Sequence, residues 1–184
     1  MDIERQVLSA LVAGKDAVSA LRAVPITIRR LFVQAYQAYI FNKCMSAAVM
    51  NGEGLLEPAA GDLCFEMEGP ATFGRIIKYD PASKAKMVPA IRMAGYTLQP
   101  GKGRFENITR AVLQEEGVTA KDFYIKEMQE LSHQGGFRQA PLWCMDFSYK
   151  QNPLAVSFKL PKGSYATTLL REIIKPQDPI RSGF

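Results

Sequence analysis

Apolar residues recur along the first fifty positions at helical spacing. Between Asp2 and Gly14, Ile3, Val7, Leu8, Leu11 and Val12 share one face, and Gly14 suits a helix end. A shorter helical piece is predicted over residues 15–23, stopped before Pro25. The longest periodic stretch runs from Ile28 to Met50, with Thr27 as its cap. Ile28, Leu31, Phe32, Ala35, Tyr36, Tyr39 and Ile40 form its apolar face, which predicts that they pack inward. Arg29, Arg30, Gln34, Gln37 and Lys43 occupy the remaining arc and read as a solvated face.

After a Gly- and Pro-bearing loop from Asn51 to Gly61, the period shortens. Asp62–Glu68 and Thr72–Tyr79 read as strands, and Met87–Met93 is apolar but carries Pro89, which predicts at best an edge strand. Gly95, Tyr96 and the run Gln99-Pro-Gly-Lys-Gly103 form a loop. Lys102 and Arg104 flank its glycines, as in either a phosphate-facing nest or a solvated turn. Phe105–Glu116 is a helix with Ile108, Val112 and Leu113 inward, closed by Gly117, and Lys121–Leu131 is another, entered after Thr119. Arg138–Tyr149, with Leu142, Trp143, Met145 and Phe147, suits a buried strand. This mixture of helices and strands is an α+β pattern.

The stretch Pro153–Lys175 has the sharpest pattern. Leu154, Val156, Phe158 and Leu160 alternate with Ala155, Ser157 and Lys159, which predicts a half-buried strand ended by Pro161. Lys162 and Gly163 make a turn, and Ser164 is the expected N-cap of a helix whose apolar face is Leu169, Leu170, Ile173 and Ile174, ended by Pro176. A tight strand–turn–helix connection presents backbone N–H groups to an anion, although the loop lacks the spacing of a nucleotide-hydrolysing Walker loop. An ordinary turn is the other reading.

Composition narrows the function classes. The chain of 184 residues is 47% hydrophobic and 22% charged, with a net charge of +5 and a pI near 9.1. That basic excess suits contact with RNA, but also many other soluble proteins. There is no membrane-span-like apolar run and no secretory leader pattern, so a cytoplasmic location is expected. Cys44, Cys64 and Cys144 lie far apart in apolar contexts and read as buried thiols. With a single histidine, His133, and no paired-cysteine motif, no metal site is expected.

Two segments carry a resemblance. Phe158–Ile173, reading FKLPKGSYATTLLREI, resembles the C-terminal signature of the TruD-type tRNA pseudouridine synthases. Arg29–Asn42, reading RRLFVQAYQAYIFN, resembles a characteristic helix of the same family, with Ala38 where Ser is more usual. Gly61-Asp62 before a strand and the Gly95-Tyr96 loop are similar to the archaeal members. The resemblance implies an enzyme that converts one uridine of tRNA, usually that at position 13, to its C-glycoside isomer, with no metal or organic cofactor. It also implies a nucleophilic aspartate acting on a flipped-out nucleotide.

The motifs that hold that aspartate in the family do not occur here, so no residue of this chain is assigned as catalytic. The resemblance covers only the second half of such an enzyme: residues 1–152 as the family's inserted domain and 153–184 as part of its catalytic sheet. By carry-over, Lys162, Gly163, Ser164, Tyr165, Ala166 and Thr167 belong at the cleft rim, where Tyr165 either stacks on a base or packs against the sheet. Arg171 is placed to meet a phosphate or the catalytic carboxylate, and an Arg171–Glu172 pair is not expected because adjacent helical residues diverge. Arg29, Arg30 and Lys43 are candidates for RNA backbone contact. The expected partners are tRNA and the remaining half of the enzyme, as a separate chain or a second copy. The alternatives are a stand-alone RNA-binding module without chemistry and a remnant that folds without function.

Overall fold

The computed structural model describes residues 3–69, 71–99 and 101–184. Asp2 of the first expected helix and Pro100 of the glycine loop lie outside them. Three helices open the chain: α1 (Ile3–Val12), α2 (Ala17–Arg22) and α3 (Ile26–Met50). Asp16 caps α2 by accepting from the Ser19 backbone N–H at 3.0 Å. The N-cap of α3 is Pro25, and Thr27 lies inside the helix. Pro25 thus ends one helix and starts the next, because its fixed φ suits an entry and its missing N–H would be unpaired there anyway.

A four-stranded antiparallel sheet follows, in the order β2-β1-β3-β4, from β1 (Leu63–Gly69), β2 (Thr72–Lys78), β3 (Met87–Met93) and β4 (Gly136–Gln139). Contrary to the edge position expected from Pro89, β3 is central. The ladders explain how. Pro89 faces Cys64 in the last pair with β1, and β4 begins pairing one residue later, at Ala90 opposite Gln139. Counting back from the Met67 N–H···O Lys86 bond, Pro89 falls at a non-hydrogen-bonded position, so its nitrogen faces the side that β4 has not reached. The missing donor therefore costs neither ladder a bond.

Helix α4 (Arg104–Glu115) packs with α3 against β3. The core joins Ile40, Phe41, Cys44 and Ala48 of α3 to Ile91, Ala94, Phe105, Ile108, Val112, Leu113 and Phe123. Burying each large side chain of this set contributes about 1.5–3 kcal/mol. Ile108, Val112 and Leu113 are inward as expected, and Gly117 closes the helix end with φ 66°. The segment 121–131 is not one helix. It forms a 3₁₀ turn, Ala120–Phe123, opened by a capping box between Thr119 and Asp122, and a second 3₁₀ segment, Lys126–Leu131, interrupted by the non-helical Met128.

The face of α3 differs from the expected one. Leu31, Phe32, Tyr36 and Tyr39 are exposed, whereas Gln37, Ile40, Phe41, Cys44 and Ala48 are buried. The stripe with more apolar residues is not the stripe that meets β3 and α4. The expected strand over 138–149 is also divided: β4 ends at Gln139, and β5 (Met145–Lys150) begins a separate two-stranded sheet with β6 (Ala155–Lys159). That hairpin is exposed, not buried, and leads to α5 (Ala166–Ile174), which has no buried residue. Among the described residues no helix is long and apolar enough to cross a membrane.

Candidate nucleic-acid interface

The connection from β6 to α5 is a β-turn: the Ser164 N–H donates to the Pro161 carbonyl at 3.1 Å, and Gly163 has φ 87°. A side chain with Cβ is strained at that φ, so glycine is required. Helix α5 starts one residue later than expected. Tyr165, not Ser164, is the N-cap, and no side chain accepts from the first turn. The first turn of α5 therefore has no side-chain cap; it lies beside the exposed Lys162, Gly163, Tyr165 and Thr167 and the half-buried Ser164. Tyr165 is 66% exposed. At the far end Lys175 closes α5 in the left-handed conformation, with φ 50°.

Charge concentrates in this part of the chain. Residues 145–184 hold six basic and three acidic side chains, a net +3 of the chain's +5. Arg171 is exposed on α5, and contrary to expectation its Nη2 comes within 4.0 Å of the Glu172 carboxylate. Both side chains are long enough to bend back together, although Glu172 also pairs with Lys175. At this exposure such pairs contribute little. Asp146 pairs with Lys159 at 2.7 Å across the hairpin.

The other arginines belong to a different neighbourhood. The Arg29 side chain is 11% exposed; its Nε donates to the Val24 carbonyl at 2.9 Å and its Nη1 to Glu130 at 3.1 Å. That guanidinium is committed to holding α3 on the second 3₁₀ segment. Arg30 is exposed and donates through Nε to the Glu130 carbonyl at 3.1 Å. Lys43 donates to Glu115 at 2.8 Å and Glu116 at 2.6 Å, which hold its ammonium charged well above the usual lysine range. The same contact keeps the Glu116 carboxyl low, and Glu116 accepts the Tyr39 hydroxyl at 3.0 Å, raising that phenol. No hydrogen bond, ion pair or ring contact among the described residues joins Arg29, Arg30 or Lys43 to the α5 turn.

Among its described residues the glycine loop leaves no open anion nest. Arg104 turns inward, donating to Asp62 at 2.9 Å, Glu53 at 3.0 Å and the Glu57 carbonyl at 2.9 Å. Glu106 fills the concavity: a Cβ at Gly101 would lie 2.5 Å from its Cγ, and one at Gly103 2.2 Å from its Oε2. Contrary to the solvated face expected for Gln37, that residue is buried, beside the half-buried His133. Gln37 is fully buried and donates to the Ala94 carbonyl and, at 2.9 Å, toward His133 Nδ1. The signal was there in part, since Gln37 lies inside the RRLFVQAYQAYIFN segment. A cavity of about 470 Å3 between α4 and Leu98, Gln99 and Gly101 contains none of the expected site residues. Cys44 and Cys64 are buried as expected, whereas Cys144 is exposed. Among the described residues no cluster of His, Cys, Asp and Glu could hold a metal ion.

The arrangement of helices, sheet and terminal hairpin has relatives. The family model of tRNA pseudouridine synthase D (TruD) matches residues 1–173. The chain belongs to the TruD family. It is 35% identical over 182 residues to the "Probable tRNA pseudouridine synthase D" of Pyrobaculum islandicum, covering 98% of this chain and 42% of that protein. The Methanopyrus kandleri relative of the same name is 33% identical over 95% of this chain and 40% of its own length. The crystal structure of a candidate TruD from Methanosarcina mazei superposes with a TM-score of 0.79 at 26% identity, covering 97% of this chain and 45% of that one. The chain thus spans less than half the length of the TruD relatives it matches.

Proposed function

We propose that this chain supplies the C-terminal portion of a cytoplasmic tRNA pseudouridine synthase, which isomerises one specific uridine of tRNA, by family precedent that at position 13. The carrying observation is the TruD match over residues 1–173 together with a coverage of only 42% of the Pyrobaculum relative. In this reading Lys162, Gly163, Ser164, Tyr165, Thr167 and Arg171 line the RNA cleft. The uncapped N–H groups of α5 and the cations beside them meet phosphate, and the exposed Tyr165 ring offers a face to an unstacked base. Arg30 adds a backbone contact from α3, while the Arg29 guanidinium serves the fold.

The nucleophilic aspartate comes from the remaining portion, so the chain alone does not turn over. Asp62 illustrates why its own acids do not substitute: it is 2% exposed and held by Arg104. The test is tritium release from tRNA labelled at uridine C5, with the chain alone, with the N-terminal portion of the Pyrobaculum relative alone, and with both. Release from the mixture only is the expected result. Release by this chain alone, lost on replacing one of its own aspartates, would refute the reading. tRNA binding by the chain with an inactive mixture would instead favour a stand-alone RNA-binding module.

A further inference from the structure

Arg30, Gln34, Glu130, Ser132 and His133, with the apolar Val33 and Leu131, line a pocket of about 300 Å3 where the start of α3 meets the second 3₁₀ segment. Arg30 and Gln34 stand one helical turn apart and so share a face. The Arg30 Nε bond to the Glu130 carbonyl orients its guanidinium, and among the described residues its two terminal nitrogens have no acceptor. The His133 ring is fixed from behind. Its Nδ1 receives the Gly135 N–H at 3.1 Å and faces the Gln37 amide nitrogen at 2.9 Å. Two donors aimed at Nδ1 place the ring proton on Nε2, which neither contact uses. Gln37 is itself fully buried, with Oε1 unpartnered, so its amide is spent on aligning the imidazole and the Ala94 carbonyl. Ser132 Oγ accepts from the Ile125 N–H at 2.8 Å, which leaves its hydroxyl proton to donate.

The unspent groups of the pocket are thus mainly donors. Its one carboxylate, Glu130, is covered by Arg29 at 3.1 Å and Arg22 at 3.9 Å. Arg30, bound to the Glu130 carbonyl, adds a third guanidinium nearby, and the neighbouring Lys126 and Glu127 cancel each other. The local excess is positive. A pocket rich in N–H donors with a net positive field matches a tetrahedral oxyanion, and a guanidinium fork with an imidazole N–H is a fitting pair for a phosphate.

We propose that this pocket receives a backbone phosphate of bound RNA, with Arg30 and His133 Nε2–H as its principal donors and Gln37 as the positioning residue. The proposal rests on the RNA-binding reading above. It adds a second contact region, on the first turns of α3, separate from the α5 turn.

His133 is the only histidine of the chain, so its ring Cε1–Hε1 signal is a single reporter in a two-dimensional NMR spectrum. The 184-residue chain is titrated with unmodified tRNA and, separately, with inorganic phosphate, while fluorescence anisotropy follows tRNA binding in parallel. The expected result is a saturable shift of the His133 signal with tRNA and a similar, weaker shift with inorganic phosphate. In Arg30→Gln the shift is lost, tRNA affinity falls about three- to tenfold and the salt slope drops by about 1. Arg30→Lys keeps the charge and part of the shift, which separates loss of contact from loss of fold. If anisotropy shows tRNA bound while the His133 signal stays in place, the pocket is not a phosphate site and the broader reading survives. If tRNA binds neither the chain alone nor its mixture with the N-terminal portion of the Pyrobaculum relative, the broader reading fails and the pocket with it. A shift with inorganic phosphate alone, tRNA having no effect, overturns the assignment to RNA.

Discussion

Gly95 and Gly135 cross so closely that a Cβ on Gly95 would lie 2.1 Å from the Gly135 nitrogen and 2.4 Å from its Cα. The crossing holds the segment after β3 against the segment leading into β4, where Tyr96 donates to the His133 carbonyl at 3.0 Å. Every blocking atom is backbone, so no side chain can swing away. Gly95→Ala should therefore destabilise the fold by about 2–3 kcal/mol, the scale of an overpacked core position. In thermal unfolding that is roughly a 4–12 °C drop. Gly136→Ala, where a Cβ meets nothing within 4 Å, is the control and should shift the midpoint far less. Equal losses for the two variants would show that the close approach carries no stability.

That glycine was legible as part of a family loop, but its reason was not, because the partner backbone lies forty residues away in sequence. The same limit explains the α3 face. Periodicity identified the helix nearly to its ends, yet both arcs of α3 carry apolar groups, and burial follows the arc that contains Gln37, Cys44 and Ala48. A small or polar residue in the core is visible only when its neighbours are known: Gln37 is buried because Ala94 and His133 accept its amide. Pro89 by itself points to an edge strand, but the register leaves its nitrogen facing no partner and so allows β3 a central place. In the candidate interface the turn and helix at Lys162–Ile174 were readable, since Pro161, Gly163 and Pro176 punctuate them locally. The Arg30–His133 pocket was not, because it joins segments a hundred residues apart.

The ion pair between Asp62 and Arg104 ties the entry of β1 to the first turn of α4. Asp62 is 2% exposed, accepts from Arg104 Nη2 at 2.9 Å and takes the Ala59 N–H at 2.9 Å. Removing the cation leaves a buried carboxylate unpaired. Arg104→Ala should cost about 3 kcal/mol, the lower end for breaking a buried pair because the Arg104 side chain keeps 16% exposure. Arg75→Ala, at a pair whose arginine is 76% exposed, should cost under about 1 kcal/mol. Chemical denaturation of the two variants checks this, and a smaller loss for Arg104→Ala than for Arg75→Ala would contradict it.

Burial separates the three thiols. Desolvation pushes the Cys64 thiol up to about 11, with the Asp62 carboxylate adding to the rise, and desolvation likewise raises Cys44. At pH 8 about one Cys64 in a thousand is then thiolate. A thiol reagent should therefore titrate one cysteine, Cys144, in the native protein and all three after denaturation. The ordinary thiol value is 9.0 and the folded one about 11, so the unfolded chain ionises first. The stability that the neutral thiol contributes is complete below pH 9 and is lost as pH rises through 11. The difference in unfolding free energy between wild type and Cys64→Ala should shrink across that window. Rapid native modification of two or more thiols would show that the α3 and β1 cysteines are accessible.

Pro153–Lys175 is the stretch most easily recognised in the sequence and least supported by the rest of the fold. Strand β6 pairs only with β5, and every hydrogen bond and ion pair of residues 145–184 among the described residues stays within that segment. Leu154 is 80% exposed, Val156 38%, Ile173 47% and Ile174 58%, so the apolar rows expected from the pattern exist but meet little of this chain. A lone two-stranded hairpin is marginal in water, and an open strand edge invites addition of another strand. Helix α3, by contrast, contributes Ile40, Phe41, Cys44 and Ala48 to the core. Amide exchange on a monomer verified by sedimentation should show residues 154–174 exchanging well before residues 31–45. Adding the N-terminal portion of the Pyrobaculum relative should slow exchange in 154–174 selectively, since the apolar rows would then be covered. If 154–174 in the monomer is protected as strongly as 31–45, the chain carries that segment by itself, and the proposal that it completes a sheet supplied by another portion fails.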